Sequence, residues 1–209
     1  MDKDKRKLTE KEIKRKDSFE KLSSEMQQKG YKIKDITITT QQAKYLGFLI
    51  MMPFMAFVFW MYYNVNGFDL DCISWGYVVA LPLSILCLVI LHEFIHGITW
   101  SLFAKNHFHS IDFGIIWSGI APYCTCSEPL KKWQYLLGTA MPTLVLGGGA
   151  AVAAVVTNQL LLFFLAEYMI LSGSADFLMV LKGMLYYADK QESVYCDHPY
   201  EYGFVIFEK

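Results

Sequence analysis

Residues 75–104 read WGYVVALPLSILCLVILHEFIHGITWSLFA, and the reading of this stretch decides the fold. From Cys72 to Leu91 there are 20 consecutive residues without a charge, and apolar character resumes beyond His96 as far as Ala104. About 20 apolar residues let a helix cross a bilayer, so residues 75–103 are expected to form a transmembrane helix. Within it stands Leu91-His92-Glu93-Phe94-Ile95-His96-Gly97, an HExxH. Ionisable side chains inside an apolar span are costly, and by default they mark function. His92 and His96 are four residues apart and share one helical face. That spacing lets both imidazoles reach one tetrahedral Zn2+. Glu93 would sit beside the metal, where it can take a proton from bound water and pass it to a leaving amine. The bland alternative is a pair of core histidines bonded to backbone or to other helices.

Outward from this helix the pattern repeats. Tyr45–Phe68 is a run of 24 residues without a charge, which places a first span at about residues 43–64, with Pro53 able to kink it. Trp133–Ala166 is a run of 34. One straight helix of that length would reach about 50 Å against an apolar core of about 30 Å. Breaking it at Thr157-Asn158-Gln159 gives a third span at 133–156 and a fourth at 160–186. Residues 105–132 alternate Ile111, Phe113 and Ile115 and contain Gly114, Gly119 and Pro122, which reads as a cytoplasmic hairpin or a re-entrant loop. Residues 1–29 are charged, with Leu8, Ile13, Phe19, Leu22 and Met26 at roughly helical spacing. That is either a solvated helix or a basic helix resting on anionic headgroups. Tyr31–Thr39 and Gly203–Phe207 read as short strands. The expectation is an all-α integral membrane protein of four transmembrane helices with a cytoplasmic amphipathic arm and a small cytoplasmic β-hairpin region. Its parts are the arm and strand at 1–40, the membrane core at 41–188 and a tail at 189–209.

The chain is 209 residues long, 54% hydrophobic and 19% charged, with a net charge of −1. Soluble domains carry nearer a quarter charged residues. The composition excludes disorder and a basic nucleic-acid binder. The charge is divided unevenly. Residues 1–34 hold 12 Lys/Arg against 7 Asp/Glu, and the remaining 175 hold 7 against 13. The inferred outer segments, 65–74 and 157–159, contain no Lys or Arg. The positive-inside rule therefore puts both termini in the cytoplasm of a multi-pass cell-membrane protein. Cys72, Cys87, Cys124, Cys126 and Cys196 have no framework spacing and read as ordinary thiols in a reducing compartment. Trp60, Tyr62, Tyr63, Trp75 and Tyr77 gather at the outer ends of the first two spans, as an interfacial belt would.

A zinc site needs a third protein donor. Position 102, where a metzincin would place its next histidine, is Leu102. His107, His109, Asp112 and Glu128 lie in the 105–132 loop, and Glu167 and Asp176 lie in the fourth span. Depth ranks them. His92 stands 17 residues after Trp75, and Asp176 stands 17 residues after Gln159, on helices running the same way. At about 1.5 Å per residue the two are level. Glu167 is about 14 Å higher and nearly on the opposite face, as an outer-interface carboxylate would be. Ser172-Gly173-Ser174-Ala175 just before Asp176 would let helices approach closely. Asp176 is the expected third ligand; a helix–helix hydrogen bond without metal is the alternative. His107-Phe108-His109 reads as a solvated pair. Asp197-His198 is either a support for the site or, more plainly, a turn. Gly147-Gly148-Gly149 is a close-packing segment.

HEFIH in a transmembrane helix, then a hairpin-like loop, then Gly138-Thr139-Ala140-Met141-Pro142, then a small-residue segment ending in an Asp resembles the site-2-protease class of intramembrane zinc metalloproteases. The chain looks closest to the family of uncharacterised membrane proteins called putative zincin peptidases, whose ending Asp197-His198-Pro199 and Gly203 are similar to. The resemblance covers roughly residues 30–209. Asp176 is followed by Phe177 where site-2 proteases usually have Gly. The resemblance implies a buried zinc with His92, His96 and Asp176 as ligands and Glu93 as base, cutting membrane-embedded or membrane-adjacent helices. The expected partners are a substrate segment of a membrane protein and the lipid bilayer, with no nucleic acid. Substrate choice would fall to residues 105–132, where an edge strand could pair with an unwound substrate; the alternative is a structural hairpin pairing with Tyr31–Thr39 and Gly203–Phe207. Two other functions compete: a non-catalytic zinc-containing subunit that binds a partner, and a metal transporter, for which no repeat is visible.

Overall fold

The computed structural model describes residues 9–71, 73–116, 121–187 and 192–209. Leu8, Cys72, Gly119 and Asp189, used above, lie outside them. Helix α1 (Glu10–Gln28) starts at a capping box in which the Thr9 backbone N–H donates to the Glu12 carboxylate (2.8 Å) and the Glu12 N–H to Thr9 Oγ1 (3.3 Å). Gly30, at φ +88°, lets the chain reverse into strand β1 (Lys32–Thr37).

Helix α2 (Thr40–Asn66) begins at a second capping box, Thr39 with Gln42. Helix α3 spans Trp75–Ser101. A 3-10 turn at His107–Ser110 leads into the hairpin β2 (Ile111–Ile116) and β3 (Ala121–Cys126), and the short β4 (Leu130–Lys131) follows. Residues 132–157 form one helical run made of α4 (Lys132–Pro142), a π-helical stretch (Thr143–Gly148) and α5 (Gly149–Thr157). Pro142, which has no N–H to donate, immediately precedes the widened turns. Asn158 turns the chain in the left-handed conformation (φ +53°), and α6 (Leu160–Ser172) starts after it.

Residues 160–186 were expected as one helix. They are two, α6 and α7 (Ser174–Leu185), bent by 47°. The bend falls at Ser172-Gly173-Ser174, the kind of sequence at which helices kink. A Cβ on Gly173 would stand 1.9 Å from Thr143 Oγ1, so the bend is packed against the π-helical stretch. Among the described residues three helices are long and apolar enough to cross a membrane: α2, α3 and the 132–157 run. Counting the bent pair as one span makes four.

The polar end of the molecule is more β-rich than an all-α reading allows. Strands β1, β6 (Gly203–Glu208), β5 (Ser193–Asp197) and β4 form an antiparallel sheet in that order. The hairpin β2–β3 is a separate two-stranded sheet, and β4 pairs with β5; among the described residues no strand of the 105–132 loop pairs with β1 or β6, so the expected pairing with Tyr31–Thr39 and Gly203–Phe207 is not found. β6 is central, and its alternate residues serve two layers. Phe204 and Ile206 pack with Trp100, Tyr135 and Tyr195, whereas Val205 and Phe207 pack with Phe19, Leu22 and Met26 of α1. Phe19, Leu22 and Met26 of the N-terminal helix's apolar stripe are thus spent on the sheet, whereas Ile13 is exposed. The aromatic belt also divides: Trp60, Tyr63 and Trp75 are exposed, but Tyr62 is buried against Phe68 and Phe163.

Gly203 opens β6 at φ +142°, and an added methyl would stand 2.2 Å from the Ile36 carbonyl oxygen on β1. Backbone strain of this kind costs about 1–3 kcal/mol. Gly203→Ala should therefore lower the melting temperature in detergent by about 5–10 °C. An unchanged melt would mean that β1 and β6 do not meet in this register.

Candidate metal centre

The centre is built on α3, α4 and α7. His92 and His96 are 7% and 4% exposed, one turn apart on α3. Asp176 lies in the first turn of α7, where the positive end of the helix dipole favours a carboxylate. Asp176 Oδ2 is 2.9 Å from His92 Nε2 and 3.5 Å from His96 Nε2. One donor atom from each of the three residues falls within 4.8 Å of the others. Among the described residues this is the group of three or more His, Cys, Asp or Glu that could hold an ion.

The donor set fits zinc. Donors at about 2.0–2.1 Å from one tetrahedral centre stand roughly 3.3 Å apart, and the two carboxylate–imidazole distances bracket that value. His96 Nδ1 is committed to the Gly138 carbonyl at 2.8 Å, which fixes its proton on Nδ1 and leaves the Nε2 lone pair facing Asp176. In its neutral form an imidazole so oriented would present Nε2 to a metal ion. His92 Nδ1 is buried and has no hydrogen-bond partner among the described residues.

Glu93 stays outside the three-donor group. It is half-buried, and the backbone N–H of Cys124 on β3, which packs against α3, lies close to its carboxylate. It therefore stands next to the metal-binding face without being one of its donors.

What holds these groups in place could not be read from HExxH. Gly138 lets the Trp100 ring pass, since a Cβ there would lie 2.1 Å from it. The ring stacks on His96 (5.1 Å between centroids, 17°) and its Nε1–H donates to the Tyr135 carbonyl at 3.1 Å. Tyr135 in turn donates its hydroxyl to Asp197 Oδ1 at 2.5 Å, and Asp197 Oδ2 accepts the Cys126 N–H at 2.7 Å. Asp197 thus ties the end of β3 to α4. Burial pushes its carboxyl up to about 6, against the pull of these two donors. The Asp197-His198 pair is therefore more than a turn, although His198 also closes one by accepting the Glu201 N–H at 2.9 Å. The signal in the sequence was an acid after an apolar strand, which nothing local distinguishes from a turn residue.

The other candidates lie elsewhere. His107 and His109 are exposed in the 3-10 turn, and Asp112 is exposed on the hairpin. Glu128 staples the loop by accepting the Lys105 N–H at 2.6 Å. Glu167, on α6, is half-buried with Oε1 unpartnered among the described residues, and it is not part of the metal group. Cys87, Cys124, Cys126 and Cys196 are free thiols, and burial pushes Cys126 up to about 12. No curated protein and no solved structure matches the chain. Residues 85–191, from the middle of α3 to beyond α7, match the family described as "Putative zincin peptidase"; they make up just over half of the chain, and it belongs to that family.

Proposed function

We propose that the chain is a membrane-embedded zinc metallopeptidase that hydrolyses peptide bonds in or near the bilayer. The observation that carries this reading is the convergence of His92, His96 and Asp176 within 4.8 Å among apolar helices, with Glu93 beside them but not among them. Three protein donors leave a fourth position open, which is the habit of catalytic rather than structural zinc. His92 Nε2, His96 Nε2 and Asp176 Oδ2 would hold the ion. Zinc, when bound, supplies Lewis acidity towards the scissile carbonyl and towards water.

The chain's own groups supply the rest. Glu93 takes a proton from the attacking water and delivers it to the leaving amine nitrogen. The Cys124 N–H lies close to that carboxylate. The Gly138 carbonyl keeps His96 in the tautomer that presents Nε2. The outer edge of β2 has no strand partner among the described residues, so an unwound substrate could add there as a strand; on β3 the Cys126 N–H is already taken by Asp197. Both termini lie in the cytoplasm in this reading, on the side rich in Lys and Arg.

Metal content tests the proposal. The chain purified in mild detergent should carry about one zinc, lose it to a strong chelator and take it back. Wild-type protein that binds none under any of these conditions removes the basis of the reading.

A further inference from the structure

A cavity of about 390 Å³ lies between α1, the outer face of the β2–β3 hairpin and the Asp197-His198-Pro199 turn. Arg15 sits in its wall. The guanidinium lies over the Tyr123 ring (4.4 Å to the centroid) and one Nη donates to Thr125 Oγ1 at 3.3 Å. Its Nε is buried with no hydrogen-bond partner, and no carboxylate lies within ion-pair distance of it among the described residues. Asp197 shares the cavity and is near enough for its charge to feel Arg15, but it makes no ion pair with it, and its two oxygens already accept from Tyr135 and Cys126. A half-buried cation with unspent donors is costly unless something pairs with it.

We infer that this cavity binds an acidic segment of a peptide, with Arg15 taking its carboxylate. The planar guanidinium matches a carboxylate through two parallel N–H donors, and Lys14 on the same wall adds positive charge. Asp112 and Asp197 on the other walls disfavour a dianion such as phosphate but accept a peptide, which brings N–H donors along with its one carboxylate. Phe19, Tyr123 and Pro199 give an apolar neighbour side chain somewhere to rest.

The cavity also reaches Phe113, whose ring rests on Gly97, the residue after His96. The hairpin therefore lies between the cavity and α3, which carries the metal-binding residues. As a substrate subsite the assignment rests on the peptidase reading: it makes the preferred substrate one with an acidic residue flanking the cut on the polar side.

Full-length protein in detergent, zinc-loaded and zinc-stripped, is titrated with a rhodamine-labelled, end-blocked peptide Ala-Phe-Glu-Ala-Phe-Ala and with its Gln counterpart, followed by fluorescence anisotropy. The Glu peptide should bind about tenfold tighter or better, as charged hydrogen bonds do, whether or not zinc is present. Arg15→Gln should erase that preference, Arg15→Lys should keep part of it, and both variants should retain wild-type zinc content. Equal affinity for the two peptides, an undiminished preference in Arg15→Gln, or displacement of the peptide by inorganic phosphate at lower concentration than by acetylated glutamate would overturn the assignment. The two readings fail separately. Arg15-dependent binding by a chain that binds no zinc removes the peptidase and keeps the site. Cleavage of both peptides at one rate by wild type and Arg15→Gln removes the site and keeps the peptidase.

Discussion

Asp176→Ala is expected to lose zinc. Its Oδ2 stands between the Nε2 atoms of His92 and His96, at 2.9 and 3.5 Å, and no other carboxylate joins them among the described residues. Removal leaves two neutral imidazoles, and two donors do not make a zinc site in protein. Groups that merely orient a ligand cost about 10–100-fold in metal affinity when removed, so loss of the ligand itself should cost at least the upper end of that range. Competition against a chromophoric chelator measures it directly. Asp176→Asn keeps the shape and an oxygen but not the charge, and it should fall between the two. Folding can be checked by the melt, because Asp176 makes its polar contacts only with the two histidines among the described residues. Full zinc affinity in Asp176→Ala would place the third donor elsewhere. Glu167 would then be the residue to examine, since its Oε1 is buried and has no partner among the described residues.

Asp176 also shows how far sequence reading reaches and where it stops. A straight rod over residues 160–186 puts Asp176 level with His92, and the two meet although the rod is bent at Gly173. Rise per residue survives a 47° bend placed only three residues before the side chain in question, because most of the climb is made before the bend. The small residues read as a close-approach segment do allow one: a Cβ on Gly173 would strike Thr143, and one on Gly47 of α2 would strike Ser174. Apolar run length and the Asn158 turn are local signals, and they were legible. The supports of the site were not. His96 to Gly138, Tyr135 to Asp197 and Cys126 to Asp197 join residues 42, 62 and 71 positions apart. No periodicity encodes such a pairing. The same holds for β6, whose neighbours β1 and β5 come from opposite ends of the chain, and for α1, where an amphipathic pattern announces an apolar face without naming what covers it.

Glu93→Gln separates an enzyme from a zinc-bearing subunit that binds a partner. The amide is nearly the shape of the carboxylate and keeps an oxygen that can face the Cys124 N–H, so the local packing should stand. Because Glu93 is not among the three clustered donors, zinc content should match wild type. What the amide cannot do is take a proton from water and return it to the leaving nitrogen. Positioned acid–base groups contribute about 10²–10⁴ in rate, and here one group serves both transfers, so hydrolysis should fall by about a thousandfold or more. The measurement pairs metal analysis with quantitative profiling of newly formed N-termini in membranes from cells expressing wild type or Glu93→Gln at equal levels. Termini present only with wild type identify substrates, and the same peptides then give kcat/KM in detergent. A subunit that uses zinc for shape gives a different pattern: full zinc in both chains, no difference in termini, and no function lost on replacing Glu93. That pattern would leave the metal centre intact and remove the catalysis. Loss of zinc in Glu93→Gln would point the other way, to a carboxylate that ligates the ion, and the base would then have to be sought elsewhere.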